Sequence, residues 1–102
     1  MTKQIWKFAL DIADAQQILM PQAAQILSIG VQQAQPRIWA LVDVDAPQVY
    51  RIIRVFGTGD TLVDSPGDFI GTFQMHDGFL VYHVFDQGEG GGGYIKRSAL
   101  GG

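Results

Sequence analysis

The sequence contains no cysteine, so disulfides, thiolate metal sites and a cysteine nucleophile are excluded. Charge is scarce: 17% of the residues are charged, against about 25% in an average soluble domain. Gln, Gly and Ala must cover the surface that charge leaves bare. Such a surface suits burial in a self-association interface, or belongs to a merely glutamine-rich monomer. Positive charge is scarcer still, with 7 Lys and Arg against 10 Asp and Glu and a net charge of -3. A sequence-independent nucleic-acid binder needs a positive field to displace counterions. An anionic membrane surface attracts the same field, so neither partner is expected. No apolar run approaches the roughly 20 residues of a membrane span. Residues 1–7 (MTKQIWK) hold no apolar signal-peptide core.

What the 102 residues do contain is a series of short β-prone runs, enough for one domain with one core. Residues 5–10 (IWKFAL), 37–42 (RIWALV) and 50–56 (YRIIRVF) are rich in β-branched and aromatic side chains. In residues 24–32, Leu27, Ile29 and Val31 share one face, which predicts a strand with that face buried. A turn is expected over Gln33, Ala34, Gln35 and Pro36. Residues 11–16 read as a turn or one helical turn, with Pro21 stopping any helix further on. A short strand is expected at Thr61, Leu62 and Val63, between two turn clusters.

The clearest signal is Asp77 followed by Gly78, flanked by residues 69–76 and 79–85. Asp-Gly between two β runs predicts a two-residue type I′ hairpin that pairs His76 with Phe79, Met75 with Leu80 and Phe73 with Tyr82. One hairpin face is then apolar. The other mixes Thr72, Gln74, His76 and His83 with Phe79, Val81 and Phe85, three large apolar groups that need a cover. The fold class is mostly β: an antiparallel β-sandwich or barrel-like sheet, with room for one short helix. Residues 1–86 make a single β domain, and residues 87–102 a Gly-rich C-terminal tail.

Catalytic machinery is not recognisable, and no enzyme is expected. His76 and His83 share a hairpin face but lie several rungs apart, too far for joint metal ligation. Ser28, Ser65 and Ser98 stand in no nucleophile-elbow setting. The acidic pairs Asp43/Asp45 and Asp64/Asp68 lie in loops as solvated carboxylates, so neither metal nor cofactor is expected. One constellation points to a ligand. Gly57, Thr58, Gly59 and Asp60 follow a strand carrying Arg51 and Arg54, and backbone N–H groups of such a turn can cradle an anion. The turn lacks the P-loop lysine, and such a segment is more often just a tight turn. Arg51 and Arg54, three positions apart, point to opposite faces of a strand. The candidate ligand-binding residues are therefore Arg51, Arg54, Gly57, Thr58 and Gly59. The candidate interface residues are Phe79, Val81, Phe85 and, in the tail, Tyr94.

Several segments resemble, in combination, one family. They are IWKF (5–8), Met20 with Pro21, ILS (26–28), IWALVD (38–43), FGTG (56–59), IGTFQ (70–74) and HVF (83–85). The family is one of short uncharacterised proteins of phages, prophages and bacterial genomes, and the resemblance spans about residues 4–86. The Gly-rich tail departs from it. The family has no established catalytic or binding residues to carry over. The resemblance implies a phage-type context, in the cytoplasm of a bacterial host or in the virion. Two functions follow as expectations. One is a non-enzymatic accessory protein that sequesters a small phosphate-bearing ligand, such as a nucleotide immune signal. The other is a virion structural, decoration or assembly protein acting through homo-oligomeric contacts and contacts with other virion proteins.

Overall fold

The structure, a computed structural model, is described for residues 1–90. It contains β1 (Lys3–Ala9), β2 (Ala15–Pro21), β3 (Gln25–Gln32), β4 (Gln35–Asp43), β5 (Gln48–Gly57), β6 (Asp68–Met75) and β7 (Leu80–Gly90). All ladders are antiparallel. A three-stranded sheet in the order β1-β4-β3 packs on a four-stranded sheet in the order β2-β5-β7-β6. The fold is an antiparallel β-sandwich.

Alternation in the strands explains the layering. In β4 the even positions Ile38, Ala40 and Val42 point inward and are fully buried. Ile53 and Val55 of β5, Phe73 of β6 and Val84 of β7 meet them from the other sheet. Burying each of these large side chains stabilises the fold by about 1.5–3 kcal/mol. Met20 and Ala24 extend the core toward the crossing from β2 to β3.

Met75 pairs with Leu80 and Phe73 with Tyr82, as expected. The ladder ends there: the expected His76–Phe79 rung is missing, because His76 (φ 53°) is left-handed along with Asp77 (φ 56°) and Gly78 (φ 88°). The Gly78 N–H donates to the Met75 carbonyl and the Phe79 N–H to the His76 carbonyl, so two successive left-handed turns make a four-residue loop in place of the two-residue one.

Three further expectations change. No helix forms among the described residues. Residues 11–14 bend, and the Gln16 amide closes the bend by bonding both the N–H and the carbonyl of Asp11. Thr61, Leu62 and Val63 are not a strand. The connection from β5 to β6 must step over β7, which lies between them, and so finds no free edge to pair with. In β3 the register shifts between Ile26 and Ser28. This bulge at Leu27 puts Ile26 and Ile29 against the core and leaves Leu27 exposed, so Leu27 drops out of the predicted Leu27/Ile29/Val31 face. Val31 keeps the face of Ile29 but is exposed near the end of the strand.

The ladder of β7 also runs past Asp86. A second bulge, between the Ile52–Gly88 and Ile53–Asp86 pairs, lets Glu89 and Gly90 pair with Arg51 and Tyr50. Part of the segment read as tail is thus strand. No helix among the described residues is long and apolar enough to cross a membrane.

Candidate functional site

On the outer face of the four-stranded sheet, six side chains form two adjacent rows across β5, β7 and β6. Arg54, Phe85 and Phe69 make one row, and Phe56, His83 and Thr72 the other. A bulge at Ile70 makes the second row possible. Ile70 and Gly71 together oppose Val84, so Phe69 and Thr72 both stay on the outer face.

The rings are in contact. Phe85 meets Phe56 at 5.8 Å and Phe69 at 5.5 Å between centroids, both edge to face. The Arg54 guanidinium carbon lies 5.2 Å from the centre of the Phe56 ring, a cation–π distance. The Arg54 Nε donates to the Asp14 carbonyl at 2.9 Å, which fixes the stem of the side chain.

His83 is held at both nitrogens. Thr58 Oγ1 lies 2.7 Å from Nε2, and Thr72 Oγ1 lies 3.0 Å from Nδ1. Thr58 comes from the connection after β5, where its N–H also donates to the Val81 carbonyl. That connection carries Leu62 over the face and closes a cleft of about 260 Å³. Phe56, Phe69, Phe85, His83, Thr58 and Leu62 contribute to its walls.

The turn at residues 57–60 does not act as an open cradle. The Asp60 carboxylate accepts from the Gly57 N–H at 2.7 Å, and the Asp60 N–H donates to the Gly57 carbonyl. With the Thr58 N–H given to Val81, three of the turn's four N–H groups are taken. The place an anion would occupy holds the chain's own carboxylate. Gly59, with φ of 97°, supplies the left-handed position that a type II turn requires.

Arg51 is not part of this cleft. It points into the sandwich, 6% exposed, where it pairs with Asp86 and donates to the Ala24 carbonyl. Of the sequence-based ligand residues, Gly57, Thr58 and Gly59 line the cleft, and Arg54 lies beside it over Phe56. Phe85, expected at an interface, lies in the same cleft. Val81 lies beside it and takes part through its carbonyl. Phe79 stands apart at the hairpin tip, 88% exposed. Tyr94 lies outside the described residues. Phe56, Phe69, Thr72, His83 and Leu62 complete the cleft without having been singled out as site residues. The signal for them was the aromatic and threonine spacing in residues 69–72. Reading it needs the Ile70 bulge, which no periodicity reveals.

Chemically, the Thr58–His83 contact has the reach of a nucleophile and base. The group on the far nitrogen, however, is the Thr72 hydroxyl and not a carboxylate. A neutral hydroxyl offers little to stabilise an imidazolium.

These features define a class: a small all-β sandwich domain with an aromatic cleft on one outer face. The chain belongs to the family described as a domain of unknown function, DUF7352, whose model matches residues 1–92. No curated protein and no solved structure matches the chain.

Proposed function

We propose that the protein is a non-enzymatic, phage-type accessory binding protein. Its ligand is a small molecule joining a flat ring to a negative group, in the manner of a nucleotide immune signal. It acts by sequestering that ligand in the cytoplasm of a bacterial host. The observation that carries this reading is the Phe56–Phe85–Phe69 cluster in one cleft with His83, with Arg54 beside the cleft over Phe56. The rings offer a platform for a planar group. Because three of the four N–H groups of the turn at residues 57–60 are already bonded, recognition of charge falls to Arg54.

Isothermal titration calorimetry against cyclic nucleotides and ADP-ribose derivatives tests the reading. Heat is expected with at least one of them, and Arg54→Gln and Phe69→Ala should each weaken it. Absence of heat with every compound overturns the proposal.

A second reading rests on Phe79, 88% exposed at the tip of the β6–β7 hairpin. An aromatic ring so placed suits a contact in a virion or its assembly intermediates. Mass spectrometry of purified particles should then find this chain, and particles without it rule the reading out.

A further inference from the structure

Among the described residues the sandwich has four edge strands, and they are not equivalent. The edges of β3 and β6 lie against each other, so close that a Cβ on Gly71 would sit 3.4 Å from Ile29. That leaves β1 and β2.

Hydrogen bonds at the strand ends show which residues face each free edge. The Val44 N–H bonds Thr2 and the Leu10 N–H bonds Pro36, so even-numbered residues of β1 pair with β4. Lys3, Ile5, Lys7 and Ala9 then turn their backbone groups outward. Lysine is a common guard of exposed edges. Pairing two β1 strands about a two-fold axis at Ile5 would set Lys3 opposite Lys7 of the other copy, like charge against like.

The β2 edge carries no such guard. The Val55 N–H bonds Asp14 and the Gln22 N–H bonds Pro47, so Gln16, Ile18 and Met20 pair with β5. Ala15, Gln17 and Leu19 direct their N–H and carbonyl groups outward, and Pro21, with no N–H to lose, ends the edge. The whole strand, AQQILMP, is uncharged.

We infer that β2 is a self-association edge: two copies pair antiparallel about a two-fold axis at Gln17. In this register Gln17 faces Gln17 of the second copy, and Ala15 faces its Leu19. The outward N–H and carbonyl groups then bond across the axis, joining two four-stranded sheets into one. Two further features fit. Leu19, 49% exposed on the outer face, gains an apolar neighbour in Ala15 of the second copy. Among the described residues the Gln17 Oε1 is buried without a donor, and the facing glutamine brings an amide to the same face of the sheet. Turning the two amides toward each other satisfies it. This surface is separate from the aromatic cleft and does not depend on the ligand reading.

Light scattering behind size exclusion tests it at about 0.1 mM protein, where a complex of micromolar Kd is nearly fully formed. Wild type should elute at twice the chain mass. Gln17→Pro removes one outward N–H, and Leu19→Lys adds the charge that β1 uses. Each should halve the mass while the circular dichroism spectrum stays native. Hydrogen exchange should show the amides of Ala15, Gln17 and Leu19 protected in wild type and unprotected in Leu19→Lys. A monomeric wild type overturns the inference. So does a Leu19→Lys protein that keeps twice the chain mass with those amides protected.

Discussion

The Arg51 guanidinium and the Asp86 carboxylate form an ion pair, Nη1 to Oδ2 at 2.9 Å, within the apolar interior of the sandwich. Asp86 faces inward because it follows the buried Val84 by two positions, and past the bulge at Gln87 the Gly88 N–H (φ 91°) bonds its second oxygen at 2.7 Å. Arg51 also donates to the Ala24 carbonyl, tying β5 to the crossing from β2 to β3. A buried pair of this kind adds less through Coulomb attraction than it costs when broken.

Asp86→Ala should therefore destabilise strongly, by about 3–5 kcal/mol, because it strands a buried guanidinium. The double variant Arg51→Met/Asp86→Leu removes both charges and should recover most of that loss. Urea denaturation of the two proteins checks the ordering. A single variant no less stable than the double one contradicts it.

Gly67 and Gly59 both have left-handed backbones, with φ of 104° and 97°, but differ in their surroundings. A Cβ on Gly67 would collide with the Asp86 carbonyl, whereas one on Gly59 would meet nothing within 4 Å. Gly59→Ala should cost about 1–2 kcal/mol, the left-handed penalty alone. Gly67→Ala should cost clearly more, since the start of β6 must move off β7. Thermal melting of the two variants side by side checks the difference.

The β3–β4 turn places Gln33 and Ala34 at φ of 55° and 63°. Both central positions of a type I′ turn need this conformation, and neither residue favours it. Ala34→Gly should relieve the strain and, after the entropy of the freer unfolded chain, stabilise by about 0.5–1 kcal/mol. Gln33→Asn should act in the same direction. A fall in the denaturant midpoint for Ala34→Gly contradicts the assignment.

These turns illustrate what the sequence makes legible. Asp77 with Gly78 announces its hairpin because residue type and backbone conformation agree. Gln33 with Ala34 forms the two-residue left-handed turn without the usual residues, so only Pro36 and the flanking strands betray it. The β-rich class and most strands follow from alternation and β-propensity. The bulges at Leu27, Ile70 and Gln87 do not, because an extra residue breaks the period that sequence reading relies on. That loss matters most at the cleft. Thr58 and His83, 25 residues apart, meet only because the connection after Gly57 steps over β7. The turn at residues 57–60 was legible as a turn. Its role as an anion cradle failed on Asp60, whose carboxylate fills the position itself.

The clamp on His83 ties the tautomer of its neutral ring to the direction in which Thr58 donates. Thr58 Oγ1 lies 3.5 Å from the Val81 carbonyl, which also accepts the Thr58 N–H. If Thr58 donates there, it must accept from His83, and Nε2 carries the hydrogen. Thr72 then donates to Nδ1, completing a chain from Thr72 through His83 and Thr58 to Val81. Nitrogen-15 NMR at a pH where the ring is neutral should show Nε2 protonated and Nδ1 bare. Thr58→Val removes the acceptor, leaving Thr72 as the ring's one partner in this chain, able to accept as readily as donate. The Nδ1-protonated form should then rise. A wild-type ring protonated on Nδ1 would mean that Thr58 donates to the imidazole, and the chain would run the other way.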